Sequence, residues 1–458
     1  MNPAALRFSK RALDRRVRLS HAPALRTFAS LMILSAAACR RDGAVVGGTG
    51  GAAGATGGTG GGGLDGGSDE AATEAGLDAG RDGDGADGGS AGSSGGSAGS
   101  SGGSAGSSGG SGASGAGGAG NADAAVDLRV DAAASDGSAD RGSAMATLKS
   151  AAARSGRLIG AALGASHLSE AAYAATAAAF AFVTPENEMK WDATEPTQNV
   201  FTFGGGDAIT SFARQNGMKV KGHTLVWHSQ LPTWVSGITD PAALHDAMIN
   251  HVTQVASHYR GQVMAWDVVN EAVADGGQSL RGTIFYQHLG AGYIDDAFNA
   301  AHAADPGALL FYNDYGAEGG GAKSDYVYTM VKGMLARGVP INGVGLQMHT
   351  GAADTSPSAV QLTFNIQRLE ALGLNVVISE MDVQICTGSV DTQKIRFHDI
   401  VAVCVAEPLC LGVTAWGVSD KYSWLNGGSC ATPQPLLFDD NYDPKPAYAG
   451  VLDAFLGL

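Results

Sequence analysis

From about residue 145 to the C-terminus, short apolar runs alternate with stretches whose apolar positions recur at helical spacing. The runs at 158–161, 182–184, 220–227, 264–269, 309–312, 344–346, 376–378 and 413–416 read as strands. Between them, 207–216, 242–258, 324–336, 359–372 and 393–406 read as helices. Strand and helix in turn imply a parallel sheet. Eight such units in roughly 310 residues predict an α/β fold of the (β/α)8 TIM-barrel type over 145–458. Alternation alone also fits a doubly wound sheet, but no Gly-rich phosphate loop follows the first strand.

The polar residues fall into step with this pattern. Glu186 and Asn187 follow the second run, His228 and Gln230 the third, Asn270 and Glu271 the fourth. Asn313 and Asp314 follow the fifth, Gln347 and His349 the sixth, Glu380 and Asp382 the seventh. In a barrel those positions all open onto the C-terminal mouth, where active sites are built. One polar residue at a strand end is ordinary solvation; six strands ending alike is not.

The first third of the chain is of another kind. Of the 69 glycines many sit there, and aromatic residues nearly vanish, so the 458 residues hold one large folded domain rather than three. From about Gly43 to Ala144 the sequence is Gly, Ser, Ala and Asp, which cannot bury enough apolar surface to offset its ordering entropy. Residues 39–144 are expected to form a disordered, low-complexity linker spanning roughly 50–60 Å root-mean-square. Residues 1–38 look like an export signal: a basic stretch, the apolar run Leu31-Met32-Ile33-Leu34, then small residues. The run is too short to span a bilayer. Small residues directly before Cys39 resemble the lipobox of bacterial lipoproteins, although Ala36 stands where Leu is usual. The protein is therefore expected at the cell surface or outer membrane through a lipid on Cys39, with simple secretion as the alternative.

The formal charge is −15, and residues 1–38 hold seven basic side chains against Asp14 alone, so the remainder carries −21. That balance disfavours nucleic acid and anionic lipid surfaces as partners and leaves a neutral polymer open. Beyond Cys39, the other four cysteines lie late in the chain and allow three pairings. Cys404–Cys410 with Cys386–Cys430 is the favoured set, and four buried thiols is the alternative; export favours bridges.

The expected mouth is rich in carboxylates and indoles: Glu186, Glu271 and Glu380 with Trp191, Trp227, Trp416 and Trp424. Glycosidic hydrolysis needs two carboxyl groups, one protonated and one ionised, and aromatic faces make platforms for sugar rings. His223, His228 and His349 raise a metal site as a rival, but no His-Glu-x-x-His or comparable spacing is present, and no metal or cofactor is expected. A serine nucleophile lacks its Gly-x-Ser-x-Gly elbow. Trp191 and Trp266 read as packing residues, and Asp267 as a barrel-core acid with a structural partner.

Six stretches carry a resemblance to a known family. They are Thr184-Pro-Glu-Asn-Glu-Met-Lys-Trp191, Gly222-His-Thr-Leu-Val-Trp-His-Ser-Gln-Leu-Pro232, Trp266-Asp-Val-Val-Asn-Glu271, Gly345-Leu-Gln-Met-His349, Val377-Ile-Ser-Glu-Met-Asp382 and Thr414-Ala-Trp-Gly-Val-Ser-Asp420. In this order they resemble glycoside hydrolase family 10, the endo-β-1,4-xylanases, from roughly Thr147 to the end. The resemblance implies a retaining mechanism with Glu271 as general acid/base and Glu380 as nucleophile. It implies that Asn270 binds the 2-hydroxyl of the reacting sugar, while His349 orients Glu380 with Asp382 behind it. Glu186, Asn187, Lys190, His223, Trp227, Gln230 and Gln347 would bind the glycone sugars, with Trp416 and Trp424 as a roof. Xylan is then the partner, and a monomer is expected. Departures are few: Leu425 stands where a basic residue is frequent, and Ser379 and Met381 replace commoner Thr and Leu. A β-1,4-glucanase on a related barrel and an inactive surface glycan-binding protein are the competing readings.

Overall fold

The computed structural model describes residues 146–458. The expected export signal over 1–38, the lipid site at Cys39 and the linker over 39–144 lie outside the described residues.

Strands β1 (Leu158–Leu163), β2 (Phe182–Pro185), β3 (Lys219–Val226), β4 (Ala265–Asn270), β5 (Leu309–Asp314) and β6 (Gly343–Leu346) follow one another around a ring. After the short β7 (His349–Gly351), β8 (Asn375–Gln384) and β9 (Cys410–Ala415) complete it. Every neighbouring pair is parallel, and β9 pairs with β1 while β8 pairs with β6, which closes the sheet. β7 resumes the line of β6 after a break at Gln347 and Met348, where Met348 has φ 70°. Nine strands thus make an eight-stranded (β/α)8 barrel, as the alternation of the sequence predicts.

Each predicted run overlaps one barrel strand. The largest difference is β8, which continues to Gln384 rather than stopping at 378, so Glu380 and Asp382 lie inside the strand. The reason is β7: it gives the outer half of β8 a second parallel partner, with His349 opposite Asp382. The helices also match, with modest changes at their ends. Pro241–His258 starts on the Asp240 carboxylate, which accepts from the Ala242 N–H at 3.0 Å, with Pro241 in the first turn. Val390–Ala406 starts on a capping box in which Ser389 and Thr392 exchange backbone-to-hydroxyl bonds.

Strand periodicity divides the barrel's side chains between two faces. Ile159, Val183, Leu310, Val344, Ile378 and Val413 pack in one apolar cluster with residues of the surrounding helices. Ala265, Phe311 and Val377 form a separate small cluster with Met264, Leu309 and Leu411, at the starts of the strands. That second cluster plugs the N-terminal end of the barrel. Above it sit Lys221, Asp267 and His223, at most 2% exposed. The Lys221 ammonium contacts Asp267 Oδ2 directly, and His223 Nδ1 lies 2.9 Å from the same oxygen. A buried ammonium needs such a partner, since stripping one costs about 3–5 kcal/mol. Asp267 therefore has the structural partner expected of it. Trp191 and Trp266 are core residues too: Trp191 stacks on His251 at 3.9 Å and Trp266 lies against Tyr259.

Both favoured disulfides are present. Cys404–Cys410 joins the end of a helix to the start of β9, and Cys386–Cys430 joins the segment after β8 to the segment after β9. Among the described residues no helix is long and apolar enough to cross a membrane.

Candidate active site

The ladder runs past the strand ends and delivers polar residues to one rim. The Glu271 N–H donates to Asn313 O at 2.8 Å, the Gln347 N–H to Asp314 O at 3.1 Å, and the Glu380 N–H to Gln347 O at 3.0 Å. Register shifts in β4, between Asp267 and Val269, precede Glu271. Glu271 itself adopts φ 56°, a left-handed conformation that side-chain-bearing residues rarely hold without support. Support is present: its carbonyl accepts from Arg281 Nε at 3.2 Å, and Arg281 is held in turn by Asp275 and Tyr315.

Two buried carboxylates meet on this rim. Glu271 accepts from Trp227 Nε1 at 2.9 Å on one oxygen, and from Gln347 Nε2 at 3.0 Å and Asn270 Nδ2 at 3.2 Å on the other. Glu380 accepts from Asn313 Nδ2 at 2.6 Å on one oxygen and faces His349 Nε2 at 3.3 Å with the other. Asn313 Nδ2 also donates to Asn270 Oδ1 at 2.8 Å, so two amides join the carboxylates into one network. The environment of Glu380 is cationic. Burial pushes its carboxyl up, but the charge of His223, 4.0 Å away, the His349 contact and the Asn313 amide outweigh this and bring it to about 2. His349 donates through Nδ1 toward Asp382 Oδ2 at 2.9 Å; burial opposes its charge, but Asp382 and Glu380 prevail and hold the imidazolium well above its usual range. The indole of Trp424 donates to the same Asp382 oxygen at 2.8 Å. Trp416 lies edge-on to His223 at 5.2 Å and to His349 at 6.3 Å.

A polar wall adjoins Glu380 on the β2 and β3 side. Lys190 Nζ donates to Asn187 Oδ1 at 2.9 Å and to Gln230 Oε1 at 2.5 Å, and it lies 4.9 Å from the centre of the Trp227 ring. Gln230 adopts φ 47° and donates to Asn187 as well, which joins Gln230 to this wall. Burial lowers Lys190, with Glu380, Glu186, Asp192 and Glu271 opposing. Glu186 is half-buried: burial raises its carboxyl, Lys190 opposes, Glu188 and Glu380 add, and the result is about 7. A carboxyl at about 7 when folded and near 4.5 when unfolded holds its proton more tightly in the native state. Its contribution is fully present below about pH 4.5 and is lost as pH rises through 7. Glu186→Gln is therefore expected to match wild type in Tm near pH 4 and to exceed it near pH 8, by calorimetry. A difference that does not grow with pH would contradict the burial of this carboxyl.

All the candidate residues lie on this rim: Glu271, Glu380, Asn270, His349, Asp382, Gln347, Trp227 and Trp424 share one hydrogen-bonded network, with Glu186, Asn187, Lys190, His223, Gln230 and Trp416 beside it. Asn313 follows the fifth run with no role implied for it by sequence, yet it touches both Asn270 and Glu380. Ser379 Oγ donates to its Oδ1 at 2.6 Å, turning the amide nitrogen toward Glu380. Gly345 is required beside it, because a Cβ there would overlap Asn313 Oδ1.

The model of Glycosyl hydrolase family 10 matches residues 147–454. An endo-1,4-β-xylanase of Agaricus bisporus is 41% identical over 283 residues, spanning 60% of this chain and 82% of its own. Endo-1,4-β-xylanase B of Thermotoga neapolitana is 40% identical over 278 residues, 59% of this chain and 80% of that one. Among solved structures, xylanase 10B of Thermotoga petrophila RKU-1 in complex with xylobiose aligns at TM-score 0.66 and 37% identity, covering 68% of this chain and 98% of its own. The matched region contains the barrel and every residue of the rim, and the chain belongs to glycosyl hydrolase family 10.

Proposed function

We propose that the protein cleaves internal β-1,4 bonds of xylan with retention of anomeric configuration. The observation that carries this is the unequal treatment of two neighbouring carboxylates. Glu380 is held ionised by His223, His349 and Asn313, as a nucleophile requires. The Glu271 carboxylate accepts from the neutral side chains of Trp227, Gln347 and Asn270, as suits a group that must gain and lose a proton. Glu380 attacks the anomeric carbon while Glu271 protonates the departing oxygen, giving a glycosyl ester on Glu380. Glu271 then removes a proton from water, which attacks the same carbon, expels Glu380 and restores both groups. Asn270 binds the 2-hydroxyl of the reacting sugar, and Glu186, Asn187, Lys190 and Gln230 hold the sugar beyond it. The xylanase names of the relatives, at 40% and 41% identity, support xylan over a β-1,4-glucan.

Product anomers followed by proton NMR test the reaction. Initial release of β-xylo-oligosaccharide from xylan, and little turnover of soluble cellulose, is the expected outcome. Initial α-product would overturn retention, and faster cellulose cleavage would overturn the substrate.

The rest of the chain fits a tethered surface enzyme: residues 1–38 direct export, Cys39 carries the lipid, and 39–144 let the domain at 145–458, acting as a monomer, range over the polymer. The two disulfides suit an oxidising compartment. Cys39→Ser is expected to move activity from the membrane fraction to the soluble one, and unchanged fractionation would rule out the anchor.

A further inference from the structure

Trp424 is the most exposed aromatic residue on the rim, at 48%, and two contacts hold it there. Its Nε1 donates to Asp382 Oδ2 at 2.8 Å, and its ring meets His349 edge-on at 5.2 Å. The segment that carries it is anchored before the tryptophan. Asp420 accepts from the Leu436 N–H at 2.7 Å and pairs with Lys445 at 2.7 Å, and Asn426 Nδ2 donates to Asp420 O at 2.8 Å. Beyond Asn426 come Gly427, Gly428 and Ser429, a stretch with little side chain to hold it. Cys430 follows, bonded to Cys386 just past β8. Only after it does the chain rejoin the extension of β8, where Ile385 and Val383 donate to Pro433 O and Pro435 O at 2.9 and 3.0 Å. The disulfide therefore ties the outer limb of the Trp424 segment to the strand that carries Glu380 and Asp382.

We infer that the Cys386–Cys430 bridge positions Trp424, and thereby sets affinity for the sugar on the Glu380 side of the cleavage point. This rests on the function proposed above. Without the bridge, the glycine-rich limb is released and Trp424 keeps only its Asp382, His349 and Asn426-side anchors, so that its final ordering falls to each incoming substrate. Ordering one large side chain on binding weakens affinity by roughly 2- to 12-fold. The chemical step changes little, because His349 keeps both Asp382 and Glu380 as partners, and Asn313 keeps its bond to Glu380, whether or not the Trp424 indole stays on Asp382. The two disulfides also differ in access: Cys386 is exposed, whereas Cys404 and Cys410 are fully buried, so a mild reductant reaches the first bridge before the second.

Cys386→Ser/Cys430→Ser should raise KM for a linear xylo-oligosaccharide about 3- to 10-fold while kcat stays within about twofold, assayed well below the Tm of both proteins. Trp424→Ala should raise KM too, and adding the cysteine changes to it should raise KM no further. An unchanged KM in the cysteine variant, or effects that multiply, would overturn the positioning role; a fall in Tm alone would count as the former. Should the variant not fold, folded wild type treated with a mild dithiol, with alkylation and mass mapping to verify that only Cys386 and Cys430 are open, gives the same readout. Failure of the underlying function is separately visible, as xylan turnover that survives Glu380→Ala.

Discussion

Glu380→Ala is expected to lower kcat on xylan by about 10⁵-fold or more, a loss on the scale seen when a covalent nucleophile is removed. Everything around this carboxyl is built to keep it charged. It is 4% exposed, yet its carboxyl lies at about 2 because His223, His349 and Asn313 outweigh the penalty of burial. Removing the anion leaves nothing to attack the anomeric carbon. Glu380→Gln makes the sharper comparison, since the amide oxygen can still accept from Asn313 while the charge is gone. Both variants should retain substrate affinity within about tenfold, because the wall from Glu186 to Gln230 is untouched. Turnover within about tenfold of wild type in either variant would remove Glu380 from the mechanism.

Much of this site was legible in the sequence for a simple reason: a parallel barrel converts position at a strand end into position in space. Asn270 and Glu271 lie 77 and 76 residues from Gln347, and His349 lies 31 from Glu380, yet they meet on the rim because each follows an apolar run. What local pattern does not encode is cross-strand pairing. Asn313 follows its run like the others, yet its part depends on Ser379 turning its amide and on Gly345 leaving room for it. The extent of β8 is not encoded locally for a related reason, since its outer half is paired by β7. The barrel-floor cluster was likewise hidden: Phe311 and Val377 belong to the apolar runs, but only closure turns them toward each other. The left-handed backbone of Glu271 gave no signal either, as nothing in Asn270-Glu271-Ala272 marks it and Arg281, which braces it, lies ten residues on.

Glu271→Ala should behave differently from the nucleophile variant, and the difference is diagnostic. On xylan the leaving group is a sugar hydroxyl that cannot depart without a proton, so turnover should fall by about 10²- to 10⁴-fold. On an aryl xyloside whose phenolate departs unaided, the first step needs no acid and should proceed. The second step still lacks its base, so the glycosyl ester on Glu380 should accumulate, as a burst of phenolate and a mass increase of one sugar. A small anion such as azide needs no deprotonation and fits where the carboxylate was, so it should restore turnover and give a product of retained configuration. Loss of the side chain also frees Trp227 Nε1 and Gln347 Nε2 from their acceptor, which should lower stability by about 1–3 kcal/mol rather than unfold the barrel. Alanine at φ 56° is no more strained than glutamate, so the backbone adds little to that loss. Equal losses on xylan and the activated xyloside, with no burst and no azide rescue, would mean that Glu271 positions substrate rather than moving the proton.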